Sequence, residues 1–476
     1  MKKVCLLLPT IFLITLSLQA QKAKEKLMKQ LDKQAGTYAK IAKQIWQHAE
    51  LGYQETQSSH LLQQTLTEAG FDMEEGVAEI PTAFVASYGS GKPVIGILAE
   101  FDALPGLSQD TMPQRAEIEG KKSGHACGHH LFGSASVAAA IAIKDWLKRS
   151  GTSGTLRLYG TPAEEGGAGK VYMVRDGLFD DVDAVLHWHP GDRNDASPGS
   201  SLSNKSAKFR FYGKSAHAAG APERGRSALD AVEAMNYMVN LMREHVKQET
   251  RIHYVITRGG DAPNIVPEFA EVYYYIRHPD RAEVMSLFDR VVKAAEGAAL
   301  GTGVRLEYEV IHGLYNLMPN EALSRVVYKN LQTVGGVSYD NRETTFANEI
   351  RTTLGTDILP LASSEQIQTF AIKSGGGSTD VGDISWVVPT AGMRAATWVP
   401  GVPAHSWQAV ACGGMSIGMK GMMVAAKTLA LSVYDLFSDP GAVIPKAKLE
   451  LERRTGDEFE YEALLGDRKP PLDYRN

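Results

Sequence analysis

Short, almost uninterrupted apolar runs alternate with helical segments in the first half of the chain. Three of these runs, 93–98 (PVIGIL), 155–159 (TLRLY) and 183–186 (DAVL), have the length and composition of strands buried in a parallel sheet. Between the first two lies an alanine-rich segment, 131–151, which has two basic residues near its end and stops at Gly151, as helices often do. Strand, helix and strand in this order predict an α/β domain.

The pattern changes from Lys205 onward. A strand is followed by a helix, two strands, a helix and a strand (AKFRFYG, SALDAVEAMNYMVNLMREH, IHYVITRGG, FAEVYYYIR, AEVMSLFDRVVKAAEGAAL, VRLEYEVI). This βαββαβ order is typical of a ferredoxin-like α+β unit. Helical and strand signals return after Pro319, and a long helix rich in Met and Ala covers 415–437. We therefore predict a small α+β domain inserted into a larger α/β domain, whose mostly parallel sheet is flanked by helices.

These patterns divide the chain into five parts. The predicted parts are an N-terminal segment (1–20), the first part of the larger domain (21–204), the inserted domain (205–313), the second part of the larger domain (314–438) and a C-terminal segment (439–476). The last part is charged and contains prolines, and its composition fits both a wrap over the surface and a loose tail.

The N-terminal segment has the features of a signal peptide. Lys2 and Lys3 precede an apolar run, 4–18, and Ala20 closes a small-residue cleavage site. A membrane anchor is the alternative, but the run is shorter than the ~20 apolar residues that span a bilayer. We therefore expect cleavage after residue 20, no stable membrane anchor, and a periplasmic or secreted mature protein.

Composition narrows the classes of partner and cofactor. The 50 basic and 55 acidic residues give a net charge of −5 and form no long run of one sign, so no basic stripe is present for a nucleic acid. Of the three cysteines, Cys5 lies in the signal segment, and Cys127 and Cys412 remain in the mature chain. Two cysteines do not make a disulfide framework.

Two short clusters carry residues suited to metal chemistry. The segment 124–130 (GHACGHH) offers a thiol and three imidazoles, which are ligand types for zinc and related ions. Its alternatives are a glycine-rich turn with incidental histidines, or a Cys127–Cys412 bridge. In the segment 163–167 (AEEGG), one glutamate of a turn can bind a metal while the other reaches a water molecule. On its own, such a pair is usually a solvated surface.

Two single histidines complete the candidate set. His189 adjoins a proline after the third apolar run, and His405 lies in a loop that begins a helix (VPGVPAHSW). Glu100 and Asp102 follow the first run, and the glutamate pair follows the second. Glu100, Asp102, the glutamate pair and His189 therefore lie beyond the carboxyl ends of predicted strands, where open α/β sheets gather catalytic groups.

Eight motifs together resemble the aminoacylase, carboxypeptidase and auxin-conjugate amidohydrolase family of metallopeptidases. They are EFDALPGLSQ, GHACGHH, GTPAEEGGAGK, FDDVDAVLHWHP, GKSAHAA, APNIVP, STDVGDISWVVPT and VPAHSW, and they span nearly the whole mature chain. The resemblance implies a metal-dependent hydrolase. Its substrate would be a small amide that bears a carboxylate, such as an N-acyl or aminobenzoyl amino acid.

The resemblance also implies roles for individual residues. Two divalent ions, Zn²⁺ or Mn²⁺, would be bound by Cys127, His129, Glu165, His189 and His405. Glu164 would be the general base that takes a proton from a metal-activated water, and Asp102 would orient a ligand. His189 is preferred to His187 because close relatives keep the histidine next to the proline. His130 and Glu100 depart from the family pattern and leave the metal's identity open.

The inserted domain resembles the lid and dimerisation domain of that family. His217, in GKSAHAA, resembles a histidine that reaches the partner subunit's active site and stabilises the oxyanion. Asn264 and Arg277 match residues that hold the substrate's carboxylate, a task that suits a guanidinium. The partner would be a second copy of this chain or a homologous second subunit. The export signal departs from the cytoplasmic relatives.

Two other functions fit the same scaffold. One is a broad-specificity aminoacylase or dipeptidase. The other is a non-catalytic protein that binds metal or carboxylates, because a fold does not guarantee an activity. The presence of Glu164 beside a full ligand set argues against the second.

Overall fold

The computed structural model describes residues 7–355 and 358–475. The helices are α1 (Leu7–His48), α2 (Thr56–Glu68), α3 (His129–Ser150), α4 (Gly169–Arg175), α5 (Ala228–Met242), α6 (Arg281–Thr302), α7 (Glu321–Val334), α8 (Asn341–Arg351), α9 (Val381–Val387), α10 (Trp407–Gly413), α11 (Ser416–Ser438) and α12 (Pro440–Thr455). The strands are β1 (Asp72–Glu75), β2 (Phe84–Ser90), β3 (Val94–Ala99), β4 (Leu104–Pro105), β5 (Ser123–Gly124), β6 (Gly154–Gly160), β7 (Ala184–Gly191), β8 (Gly199–Ser200), β9 (Ser203–Tyr212), β10 (Arg251–Arg258), β11 (Phe269–His278), β12 (Arg305–Leu314), β13 (Lys373–Ser374) and β14 (Thr390–Ala396). The first six residues of the predicted signal segment lie outside the described residues.

The larger domain is built on a six-stranded sheet with the order β1-β2-β6-β3-β7-β14. Strands β6, β3, β7 and β14 are parallel, and the antiparallel strands β2 and β1 extend one edge. The three apolar runs form β3, β6 and β7, and every residue of β3 is buried. The prediction of a mostly parallel sheet is therefore confirmed.

Helices pack on this sheet, and one of them begins at the GHACGHH motif. Helix α3 packs against β3, β6 and β7, while α7 and α11 contact β14. The alanines of α3, such as Ala138 and Ala139, are fully buried, which allows the helix to lie close to the strands. Helix α1 forms an outer layer on α3 and α11. Because α3 starts at His129, the GHACGHH motif leads directly into a buried helix, whose first two residues are His129 and His130.

The inserted domain is an antiparallel sheet with the order β10-β11-β9-β12 and the helices α5 and α6 packed on it. Its βαββαβ chain order confirms the predicted ferredoxin-like unit. It has a core of its own, in which Phe209, Val232 and Tyr274 are fully buried. The chain enters and leaves this domain side by side, because Asn204 of β9 pairs with Leu314 of β12.

The C-terminal segment lies against the surface of the molecule. After α12, Leu464 and Leu465 are buried, and the Tyr315 hydroxyl donates a hydrogen bond of 2.8 Å to the carbonyl of Glu462. The composition of this segment allowed either a wrap over the surface or a loose tail, and in the structure the segment wraps over the surface.

Within the described ranges, no single helix is long and apolar enough to cross a membrane. Helices α10 and α11, bent by 72° at the break between them, reach that length and apolarity only as a pair.

Candidate active site

The carboxyl edge of the parallel strands gathers the candidate residues. Glu100 and Asp102 follow β3, Glu164 and Glu165 follow β6, and His189 lies near the end of β7. Because β6, β3 and β7 are neighbours in the sheet, these side chains come to one place. The chain at the start of α3 contributes Cys127 and His129 to the site, and the loop before α10 contributes His405.

Five side chains form two overlapping groups that could each hold a metal ion. Donor atoms of Cys127, His129 and His189 lie within 4.8 Å of one another, as do those of Cys127, Glu165 and His405. Cys127 Sγ is 3.4 Å from His189 Nε2, and His405 Nε2 is 3.2 Å from Glu165 Oε1. The structure thus brings together all five residues that the resemblance implied as ligands. One thiol, three imidazoles and one carboxylate suit zinc and related ions.

Two of these donor atoms are buried and aimed into the site. His129 Nε2 and Glu165 Oε1 make no well-aligned hydrogen bond within the described structure, although His129 Nε2 lies 3.1 Å from Glu100 Oε2 and Glu165 Oε1 lies 3.2 Å from His405 Nε2. Buried polar atoms normally have partners, so atoms left without one mark a place that a ligand would fill. A divalent ion in each of the two donor groups would give each atom a partner.

Asp102 organises ligands of both groups. Its Oδ1 lies 2.8 Å from His129 Nδ1, and its Oδ2 accepts a hydrogen bond of 2.8 Å from the backbone N–H of Glu165. A proton on Nδ1 leaves Nε2 of His129 free to face the site. His189 is fixed in the same way, because its Nδ1 donates to the carbonyl of Pro190 at 2.7 Å.

The backbone around the ligands is strained. Ala163 and Ala168, which flank the glutamate turn, and His405 itself have φ values of 58°, 61° and 58°. Non-glycine residues rarely adopt this left-handed conformation, and they do so mostly where the surrounding structure enforces it. Gly128 is required for space, because a Cβ there would lie 2.7 Å from a side-chain carbon of Pro190.

Burial and neighbouring charges set the protonation of the metal-free site. Burial, followed by the negative charge of Glu165, raises the pKa of the Cys127 thiol. Burial lowers the pKa of His189 well below its usual value, so its ring is neutral. Burial alone would lower the pKa of His129, but the negative charges of Asp102 and Glu100 raise it well above the usual range. A bound cation would favour the thiolate and the neutral imidazole that ligation needs.

Glu164 lies beside the ligands without belonging to either of the two groups that they form. It is partly buried, and this burial, reinforced by the charges of Glu100 and Glu165, raises the pKa of its carboxyl well above its usual value. Donor atoms of Glu164, Glu100 and His129 also lie within 4.8 Å of one another. A carboxylate of raised pKa next to a metal site is suited to accepting and returning a proton.

A buried ion network that the sequence did not reveal supports Glu100. Lys170 Nζ lies 2.7 Å from Glu100 Oε1 and 2.7 Å from Asp380 Oδ1, and all three side chains are fully buried. Burial alone would lower the pKa of Lys170, but these two carboxylates raise it. Both Lys170 and Asp380 stand in motifs that carried the family resemblance, and that was the only signal available.

His187 and His130 are packed against other parts of the protein. His187 packs over Gly392, where an added Cβ would clash with its Nε2, and burial lowers its pKa to about 4. His130 Nε2 lies 3.0 Å from the carbonyl of Gly413, and its ring contacts His125. Neither belongs to the donor groups found among the described residues.

The three predicted residues of the inserted domain do not meet within one chain. His217 and Asn264 are neighbours, because Ala218 N–H donates to the carbonyl of Asn264 at 3.0 Å. They lie beyond the end of the sheet where β9 finishes and β11 begins. Arg277 lies at the other end of β11, opposite Asn204. The eight residue steps from 269 to 277 span about 26 Å of extended strand.

Comparisons with known proteins agree with this architecture. The model of the peptidase dimerisation domain matches residues 202–302. The chain is 42% identical over 431 residues to one of the p-aminobenzoyl-glutamate hydrolase subunits of Escherichia coli K12, covering 85% of this chain and 90% of that protein. It is 29% identical over 438 residues to Xaa-Arg dipeptidase of Mus musculus, covering 88% and 89%.

Solved structures share the fold. An aminohydrolase described from methicillin-resistant Staphylococcus aureus superposes with a TM-score of 0.63 at 19% identity, covering 87% of this chain and 99% of that one. A dinuclear metal-binding peptidase of Bacillus subtilis gives 0.57 at 18% identity, covering 87% and 99%. At such identities the likeness shows the fold alone.

Fold and site together define a two-domain metallohydrolase with an inserted dimerisation domain. The chain belongs to the M20 family of metallopeptidases and amidohydrolases, which confirms the resemblance found in its motifs. It is a metal-dependent hydrolase that acts on amide bonds.

Proposed function

We propose that the protein is an exported enzyme that hydrolyses the amide bond between an aromatic acyl group and glutamate, as in p-aminobenzoyl-glutamate. The observation that carries the hydrolytic part is the position of Glu164, a carboxyl of raised pKa beside two groups of metal donors. The substrate class is supported by the 42% identity to a chain of a p-aminobenzoyl-glutamate hydrolase over most of both proteins.

The site would hold two divalent ions, Zn²⁺ or Mn²⁺. Cys127, His129 and His189 would bind one, and Cys127, Glu165 and His405 the other. When bound, such ions acidify a water molecule and polarise a carbonyl oxygen. Glu164 would accept the water's proton on its carboxylate and return it to the leaving amide nitrogen. Asp102 would keep His129 and Glu165 aimed while this happens.

Substrate recognition is assigned to the inserted domain. Arg277 Nε is buried without a hydrogen bond in the described structure, and its guanidinium lies 5.3 Å from the ring of Tyr275. A guanidinium with an unused Nε–H donor suits the grip of a carboxylate. His217 and Asn264 lie at the far end of the same sheet, so they would serve the partner subunit's site, where His217 would stabilise the oxyanion.

The working assembly would therefore be a dimer through the inserted domain. A second copy of this chain is the expected partner. A homologous second subunit is the alternative, because the chain is also 30% identical over 238 residues to the other p-aminobenzoyl-glutamate hydrolase protein of E. coli K12, a match that covers 48% of this chain and 54% of that protein.

A substrate panel tests the proposed activity. The protein, loaded with Zn²⁺ or Mn²⁺, is assayed with p-aminobenzoyl-glutamate, N-acetyl amino acids and dipeptides ending in arginine. We expect the highest kcat/KM for the first and loss of activity with a chelator. Faster turnover of acetyl amino acids or dipeptides would instead identify a broad aminoacylase or dipeptidase. No turnover of any substrate by fully loaded protein would favour a binding protein.

Export is tested separately. Fractionation of cells that make the full chain, with N-terminal sequencing of the mature protein, should find it outside the cytoplasm and starting at Gln21. A cytoplasmic protein that keeps residues 1–20 would contradict the export proposal and leave the hydrolytic one intact.

A further inference from the structure

The C-terminal segment reaches the turn that carries the two active-site glutamates. The Tyr474 hydroxyl donates a hydrogen bond of 3.1 Å to the carbonyl of Glu165, and Arg475 Nη2 donates to the same oxygen. The backbone N–H of Glu165 is held by Asp102. Both polar groups of the Glu165 backbone are thus fixed by side chains from distant parts of the chain.

The turn also packs against aromatic rings. Tyr474 meets Tyr53 edge to face at 5.6 Å between ring centroids, and the Tyr53 hydroxyl donates to the carbonyl of Gly167 at 2.6 Å. At Gly52, an added Cβ would clash with the Tyr474 hydroxyl and lie 2.9 Å from Ala163. The space around the turn is therefore shaped to fit Tyr474.

The segment arrives in a fixed position because it is anchored upstream. Arg175 Nη1 donates to the carbonyls of Gly466 and Arg468, at 3.0 and 2.8 Å. Arg468 Nη2 lies 2.8 Å from Glu309 Oε1, in the middle of β12 of the inserted domain. Pro470 and Pro471 then restrict the backbone of the short link to Tyr474.

The glutamate turn needs such support. It is neither helix nor strand, and the left-handed residues Ala163 and Ala168 flank it. Backbone in that conformation persists only when its surroundings enforce it. Without the two donors on the Glu165 carbonyl, the turn could relax and move both glutamate side chains.

We propose that Tyr474 and Arg475 are positioning residues of the active site, which hold the Glu165 peptide so that Glu165 points at the metal position and Glu164 at the reacting water. This inference rests on the metal centre of the proposed function. It adds the end of the chain to the residues that determine metal affinity.

Two matched tyrosine substitutions in the full-length protein test the inference. Tyr474→Phe removes one donor to the Glu165 carbonyl. Tyr461→Phe is its control, because it removes a hydroxyl from the same segment, where it donates to Asp383 at 2.8 Å. Zn²⁺ affinity and stoichiometry are measured by competition with a chelator, the Tm of the metal-free proteins by calorimetry, and ligand geometry by the visible spectrum of the Co²⁺ forms.

We expect Tyr474→Phe to bind one of two ions about 10-fold more weakly and to change the Co²⁺ spectrum, as outer contacts of metal ligands usually do. Tyr461→Phe should lower Tm without either effect. Arg475→Met, which leaves the Tyr474 ring in place, should act in the same direction as Tyr474→Phe. Wild-type affinity and spectrum in both Tyr474→Phe and Arg475→Met would overturn the inference alone. A wild-type protein that binds no metal would overturn the proposed function as well.

Discussion

His187 and His189 lie two residues apart on β7, but only His189 lies among the metal donors. His189 lies near the strand end with its Nε2 3.4 Å from Cys127 Sγ. His187 pairs across the sheet with Gly392 and is packed over it. Residues i and i+2 of a strand share a face, so the difference between them is distance along the strand.

We predict that His189→Gln and His187→Gln differ in metal binding. The first removes a donor from the group of Cys127 and His129, so the protein should retain one ion per chain in place of two. The second should retain two ions, because His187 belongs to none of the donor groups in the described residues. Metal content by mass spectrometry after gel filtration distinguishes them. Equal losses in both variants would contradict the assignment.

At the scale of single residues, the sequence predicted which side chains form the site but not the contacts between segments that are far apart along the chain. His189, Asp102 and the glutamate pair could be placed together because each follows a predicted strand of a parallel sheet. The ion pair of Lys170 with Asp380 could not, because the partners are 210 positions apart and only the folded chain makes them neighbours. The contact of Tyr474 with Glu165 was hidden for the same reason.

Strand β10 lies at an open edge of the antiparallel sheet and exposes apolar side chains. Tyr254, Val255 and Ile256 are exposed apolar side chains along it, and on its outer side no strand of the described structure pairs with it. Apolar edge strands of this kind invite pairing with another chain. The strand lies in the domain matched by the peptidase dimerisation model, so it is the expected contact between the two chains of a dimer.

We predict that Val255→Lys shifts the proposed dimer to monomer. Val255 is 56% exposed, so a lysine there should leave the fold intact while its charge opposes strand pairing. Light scattering coupled to gel filtration measures the mass. Leu300→Lys is the matched control, because Leu300 is 86% exposed on α6, away from that edge, and should leave the dimer intact. A dimeric Val255→Lys variant would exclude β10 from the interface.

The elements themselves were predicted wherever the hydrophobic pattern is strong. The apolar runs predicted β3, β6 and β7, and the βαββαβ order of strand and helix segments predicted the inserted unit. Strand β1 was not predicted, because its sequence, DMEE, is mostly polar and mostly exposed. It is a strand because β2 pairs with it, from Asp72 opposite Ser87 to Glu75 opposite Phe84. Such pairing is a tertiary effect that no local pattern carries.

For the whole molecule, Asp383 of α9 joins three distant parts of the chain. Its Oδ2 accepts from the N–H of Tyr315, just after the inserted domain, at 3.0 Å, and its Oδ1 accepts from the Tyr461 hydroxyl of the C-terminal segment at 2.8 Å. Burial raises the pKa of Asp383 to about 7. The carboxyl that links these parts therefore resists ionisation in the folded state.

This linkage predicts a pH dependence of stability. The folded state binds the Asp383 proton more tightly than the unfolded chain, where the pKa is about 3.9. Between pH ~4 and ~7 unfolding therefore releases a proton, and the contribution of Asp383 to stability falls as the pH rises. Asp383→Asn removes this dependence. In metal-free protein, the Tm of Asp383→Asn relative to wild type should rise from pH 5 to pH 8, and a constant difference would refute the linkage.

Hydrolysis by the whole protein would depend on two adjacent glutamates with different roles, in which Glu165 binds metal and Glu164 moves the proton. Metal content and kcat, measured together for Glu164→Gln and Glu165→Gln, test it most directly. Glu164→Gln should keep two ions per chain and lose at least ~100-fold in kcat, whereas Glu165→Gln should lose an ion. Full turnover by Glu164→Gln, or loss of an ion from it, would contradict the account.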